Sequence, residues 1–174
     1  MVQHERRIVR FLSKPSSYPH PVTTIERRET HVSHVFLAGA FAYKLKKPLK
    51  FPFLDASTLA LRKKYCLLEL SLNRRLAPTI YLGMVPVVET RHGLQLGGRG
   101  KVIEWVVKMH RLPEGRMLDQ LVAKHQVSRR DMADIADQLV PFFKKAARSR
   151  TRSTRSCSSN GVGTGARTPV RVMK

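Results

Sequence analysis

The sequence predicts an α+β fold, an antiparallel sheet with one long helix packed on it and further helices after it. Three observations carry that expectation. Residues 22–47 hold three runs of strand texture, with Gly39 marking a tight turn between the last two. Residues 58–76 show the clearest helical periodicity, with apolar side chains at Leu61, Tyr65, Leu68, Leu72 and Leu76. Two or three further strand-like runs follow from Ile80 to Met109, separated by the turn signals Arg91-His92-Gly93 and Gly97-Gly98-Arg99-Gly100.

The elements follow in order. Residues 3–13 alternate charges with Ile8, Val9, Phe11 and Leu12, which suits a short amphipathic helix. Pro15, Pro19 and Pro21 then enforce a non-helical connector. The strand texture comes as Val22–Ile25, Thr30–Phe36 and Phe41–Lys47, and Pro48 and Pro52 close it. Asp55 or Ser57 is placed to cap the long helix, and Pro78 stops it. Ile80–Val88 and Val102–Met109 read as strands, and Pro113-Glu114-Gly115 breaks the second. Met117–Ala123 reads as a short helix. Ser128 with Asp131 three residues on forms a capping box for a last helix to about Lys145.

A length of 174 residues suits one domain with a real core. The net charge is +21. Residues 138–174 hold nine Lys/Arg and no acid, which leaves +12 on residues 1–137. Such a field attracts nucleic acid, nucleotides and acidic partners alike and does not choose among them. Cys66 and Cys157 are too few for a disulfide framework, and Cys66 falls within the helical pattern as a small core residue. The seven histidines show no metal-ligand spacing. The sequence lacks a signal-peptide pattern and a long apolar run, so a cytoplasmic chain without a membrane span is expected. After Ala147 the composition turns to Arg, Ser, Thr and Gly, and disorder is expected there.

Chemistry concentrates at Phe41-Ala42-Tyr43-Lys44 and at Glu69, 25 residues later. On a strand, Ala42 and Lys44 share one face while Phe41, Tyr43 and Leu45 share the other. Alanine beside lysine leaves room for a flat base and puts an ammonium near phosphates. A strand lysine oriented by a helical glutamate is how kinase-like enzymes hold the phosphates of ATP. Lys46 shares the face of Lys44 and competes for the role. The bland alternative is a solvated basic edge formed by Lys44, Lys46, Lys47 and Lys50. Glu69 is the only acid between Asp55 and Glu89, and a carboxylate beside a buried stripe needs a cation. Lys44 is one partner, and a local pairing with Arg62 or Asn73 is the other. Ser33 is placed to offer a hydroxyl and amide to phosphate, or is an exposed turn serine. Gly97–Gly100 lacks the following Lys-Ser/Thr of a phosphate loop and precedes a strand, so it reads as a hairpin loop.

Several strings occur together in an order that resembles a bacterial family related to aminoglycoside phosphotransferases, often fused to a nucleotide-binding kinase-like domain. They are HPV at 20–22, ETHVSHVFLAG at 29–39, AYKLKKP at 42–48, FLDASTL at 53–59, ELSLNRRLAP at 69–78, YLGMVPV at 81–87 and WVVKMHRLPEGRMLDQLV at 105–122. The similarity covers about residues 5–145. It implies a protein-kinase-like small lobe over 1–113, a linker and the first helices of a large lobe over 114–147, and a disordered tail over 148–174. It implies ATP bound by Lys44, Glu69 and Ser33, with a hinge over Met109 and Leu112 offering backbone groups to adenine. It also implies a small-molecule hydroxyl as phosphoryl acceptor in full-length relatives.

The chain departs from the family at Leu67 and Leu68, where acids are common, and at His34, where a tryptophan is common. The family's His-Gly-Asp-x-x-x-x-Asn loop and its metal-holding Asp are missing, so magnesium is expected only with the absent lobe. The chain reads as truncated or frameshifted after about residue 147 and inactive in catalysis alone. Self-association through apolar residues of 114–145 is expected. The competing reading is a basic nucleic-acid-binding or ribosome-associated protein, with the tail as its attractor.

Overall fold

A computed structural model describes residues 2–146. Helix α1 (Val2–Leu12) opens the chain, and a 3-10 turn at Pro15–Ser17 follows it. Three antiparallel strands come next: β1 (Ile25–Glu29), β2 (Ser33–Ala38) and β3 (Phe41–Lys46). A two-residue hairpin, β4 (Lys50–Phe51) and β5 (Leu54–Asp55), leads into helix α2 (Leu59–Asn73). Strands β6 (Tyr81–Thr90), β7 (Gly93–Leu96) and β8 (Lys101–His110) complete a six-stranded sheet of order β1-β2-β3-β8-β6-β7. Helices α3 (Leu118–Ala123) and α4 (Arg129–Lys145) end the described part. The fold is α+β, with an antiparallel sheet and helices. Among the described residues no helix is long and apolar enough to cross a membrane.

The sheet has two dissimilar faces. One packs against α1: Ile8 and Leu12 meet Phe36, Tyr43, Leu45, Val87, Leu96 and Val106, all buried. The other packs against α2, which lies over β8 and β6, around Cys66, Leu70 and Val107. Successive residues of β3 and β8 alternate between the two, so Leu45 and Val106 face α1 while Lys44 and Val107 face α2.

The structure changes several sequence-based expectations. The buried stripe of α2 is Arg62, Cys66 and Leu70, with Glu69 beside it; Leu68, Leu72 and Leu76 are exposed. Leucine spacing pointed to the wrong side because the polar residues of the true stripe find partners inside. The cap of α2 is Thr58, whose hydroxyl accepts from the Leu61 amide. Asp55 instead accepts from the Ser57 amide and hydroxyl. The first strand starts at Ile25 and runs through Glu26, Arg27, Arg28 and Glu29, whereas 22–24 is not strand. An edge strand with charges on both faces carries no alternation to read. The Ser128–Asp131 capping box is formed as expected, with each side chain accepting from the other's backbone amide. The expected disorder of 148–174 lies outside the described residues.

Candidate functional site

Cross-strand partners share a face. The register therefore lays two rows across the α2 side of the sheet. One row reads Arg28, Val35, Lys44, Val107, Met84. The next reads Glu26, Leu37, Ala42, Met109, Tyr81. Val107, Leu37 and Ala42 are buried there, so an apolar floor runs from Lys44 toward the end of β8.

Glu69 of α2 reaches this floor. Lys44 Nζ donates to its Oε1 at 2.8 Å and Lys46 Nζ to its Oε2 at 2.6 Å. One carboxylate thus holds both candidate lysines, one on each oxygen. The local alternative for Glu69 is not formed by its side chain: Asn73 donates to the Glu69 backbone oxygen, and Arg62 turns elsewhere. Burial raises the Glu69 carboxyl, but the hydrogen bonds and charges of the two lysines outweigh it, and the net direction is down. Beside it the Cys66 thiol is pushed up to about 11 by burial, which keeps it protonated and unreactive.

The neighbouring buried charge is Arg62, which the sequence reading did not pair correctly. Its Nε donates to both oxygens of Glu104, at 3.0 and 2.9 Å, and its Nη1 donates to the carbonyls of Ala56 and Ser57. Both side chains are almost fully buried. A register shift between Val87 and Val88 sits opposite this point. It breaks the alternation of β8, so Glu104 turns to Arg62 while the adjacent Trp105 packs with the Cys66 cluster. The clamp fixes the first turns of α2 on β8, and Glu69 lies two turns further along the same helix. A lone glutamate inside the apolar run Val102–Val107 is all the sequence shows of it.

Ser33, the first residue of β2, is buried; its amide donates to Thr30 Oγ1 at 3.0 Å, and its own hydroxyl has no partner among the described residues. The amide is already committed, and the hydroxyl does not reach the surface. The exposed turn serine of the alternative reading is not what the structure shows either. His34 is likewise buried, with Nε2 at 2.9 Å from Glu5 of α1. Met109 packs on the edge of the Cys66 cluster. After it, the His110 amide donates to Ile80 and the Arg111 amide to Ala40, so β8 ends in a linker tied to both neighbours. Leu112 is exposed, and among the described residues no backbone acceptor faces its amide. A cavity of about 400 Å3 borders it, lined by Gly39, Ala40, Arg111, Leu112, Pro113 and Glu114. Four surface charges close this end: Arg28 bonds Glu26 and Glu114, and Arg111 bonds the same two.

The helices after the linker bury nothing: α3 and α4 have no buried residue. Leu118, Val122, Ile135 and Phe143 are exposed, while Leu121, Leu139 and Phe142 are half-buried. Among the described residues no group of three or more His, Cys, Asp or Glu is placed to hold a metal.

Uncharacterized proteins of Mycobacterium bovis and of two strains of Mycobacterium tuberculosis are 36% identical to the chain over 138 residues, 78% of its length. The chain spans only 26%, about a quarter, of the length of these curated relatives. No family profile matches the chain, and no solved structure matches it.

Proposed function

We propose that the chain forms the small lobe of an aminoglycoside-phosphotransferase-like, kinase-like enzyme, and that the α2 face of its sheet binds ATP. The observation that carries this is the pairing of Lys44 on β3 with Glu69 on α2, beside an apolar floor that leads to a linker with an open amide. Lys44 contacts the phosphates and Glu69 orients it. Ala42, Leu37 and Met109 form the surface against which adenine lies, and the backbone near Leu112 supplies the polar contact. Ser33 has no part in this version of the site. The residues described supply binding groups; the base and the metal-holding acid of phosphoryl transfer belong to a whole enzyme, whose acceptor is a small-molecule hydroxyl.

A single lobe offers one wall of a cleft, so affinity is weak. Calorimetric titration with ATP, with and without magnesium, tests the reading. Binding is expected to be lost in Lys44→Ala. Micromolar affinity indifferent to that substitution would sink the assignment.

A second reading has one observation behind it. A groove of about 700 Å3 between α1 and the sheet is lined by Arg6, Arg10, Lys14 and Arg27, against Glu5 as its one acid. It suits a phosphodiester backbone read without sequence. Steep loss of RNA binding with salt, removed by Arg10→Ala and Arg27→Ala together, is its signature.

A further inference from the structure

A lysine ammonium carries three donors. Among the described residues the only acceptor bonded to Lys44 Nζ is Glu69 Oε1, and the only one bonded to Lys46 Nζ is Glu69 Oε2. Each ammonium therefore keeps free donors while it stays on the carboxylate. Both side chains are partly open to solvent, 29% exposed at Lys44 and 16% at Lys46. Burial raises the Glu69 carboxyl, yet the bonds and charges of the two lysines bring it down on balance, so the anion between them persists. Two cations on one anion leave a surplus positive charge, which attracts a further anion with neither ion pair broken. Order along β3 supplies a second observation. Ala42, Lys44 and Lys46 all lie on the α2 side of the strand, and each step of two residues advances about 7 Å. Ala42 stands in the row of Leu37 and Met109, Lys44 in the next row, and Lys46 one row further on, opposite Ser33. A nucleotide with its base on the Ala42 row runs its phosphates past Lys44 and on toward Lys46. Both side chains converge on Glu69, so their ammoniums meet neighbouring phosphates.

Resting on the nucleotide reading above, we propose that Lys46 is a second phosphate-binding residue, which takes the outermost phosphate of a nucleoside triphosphate while Lys44 takes the inner ones. Both lysines stay bonded to Glu69 throughout, and the carboxylate is their common anchor. The free N–H groups of each ammonium turn to the phosphate oxygens. The site thereby distinguishes phosphate chains by length: a triphosphate spans both ammoniums, and a diphosphate reaches Lys44 alone.

The test titrates the full chain with magnesium-free ATP, ADP and adenosine and, separately, with tripolyphosphate. Lys46→Ala is expected to weaken ATP and tripolyphosphate by about 10- to 100-fold, the effect of losing a charged hydrogen bond, and to leave ADP and adenosine unchanged. Lys44→Ala is expected to weaken ATP and ADP alike. The loss caused by Lys46→Ala should persist in a Glu69→Gln background, because a residue that touches phosphate does not act through the carboxylate. A loss that vanishes in that background makes Lys46 a prop of Glu69 and overturns the proposal, as does equal weakening of ADP and ATP. Where the alanine variant does not fold, Lys46→Met keeps the half-buried stem. The parent chain also reports directly: in nitrogen NMR the Lys46 ammonium signal should move with ATP and stay in place with ADP, and the same shift with both ligands would overturn the proposal. A chain that binds no ATP ends the nucleotide reading, and tripolyphosphate then decides alone. Binding that depends on Lys46 upholds the second contact; binding indifferent to Lys46, or none, overturns it.

Discussion

The two faces of the sheet solve the same packing problem with different materials. Against α1, the hydrophobic cluster is ten buried aliphatic and aromatic side chains, with the buried His34 bonded to Glu5 at one margin. Tyr18 and Tyr43 bring the polar atoms of that set, and Tyr18 donates its hydroxyl to the Leu12 carbonyl. Against α2 the apolar set shrinks to Cys66, Leu70 and Val107 with a partly buried rim, and charged groups fill the rest. Arg62 with Glu104, and Lys44 and Lys46 with Glu69, hold ground that leucines would hold more cheaply. The α1 face is held by apolar packing; the α2 face buries ionised groups where apolar packing would stabilise more.

The largest expected effect breaks the dry face. Phe36→Ala removes a fully buried ring and should cost about 3–5 kcal/mol in denaturant unfolding. Next comes the clamp. Glu104→Ala strands the Arg62 guanidinium inside and should cost about 3–5 kcal/mol, while Arg62→Met with Glu104→Leu should fall near neutral or stabilise by about 1–4 kcal/mol. A double variant as unstable as the single one would show that the clamp is structural packing, and would erase the contrast between the faces. If the contrast holds, the stable double variant is expected to lose ATP affinity, because α2 is no longer pinned with Glu69 in reach of Lys44.

Acid sharpens the comparison further. The Glu69 carboxyl is lower when folded than unfolded, so its contribution is complete above the ordinary carboxylate range. It is lost as pH falls through the folded value. Stability measured against pH should therefore drop on the acid side in the parent, and Glu69→Gln should remove part of that drop while Phe36→Ala keeps it. The smallest effect tests the corrected helix face. Leu72→Ala, on the exposed side of α2, should change stability by no more than about 0.5 kcal/mol, whereas Leu70→Ala should cost about 2–5 kcal/mol. Equal costs would restore the stripe suggested by leucine spacing.

Much of this architecture was legible because backbone punctuation is local. Gly39, with φ at 58°, and the Gly93 turn read as hairpins and are hairpins, whereas Gly97–Gly98, expected to be a hairpin loop, carries the chain from β7 across β6 to β8. The alternation of Phe41–Lys46 placed Lys44 and Lys46 on one face, and the pairing of Glu69 with a strand lysine was the expected one. That both lysines share it was beyond reach, because the choice depends on side-chain geometry 25 residues away. Arg62 was misread for the same reason: its partner Glu104 is 42 residues distant and is aimed by a register shift that leaves no compositional mark. Ser33 failed because turn residues read as exposed, and the sheet closes over this one. Strand β1 was missed except for Ile25, because edge strands trade alternation for charge.

That charge governs what the molecule does to its own copies. A six-stranded open sheet has two free margins, β1 and β7. Residues Glu26, Arg27, Arg28 and Glu29 are all exposed along the first, and a strand docking there from another molecule would have to strip water from four ions in a row. At the second margin the four residues Gly93–Leu96 are too few to template a long ladder. Crowding should therefore join these molecules, where it joins them at all, through the leucines of α2 or the bare faces of α3 and α4. Aggregates would then keep native strand content and dissolve in detergent, unlike the fibrils that grow from an unguarded sheet margin.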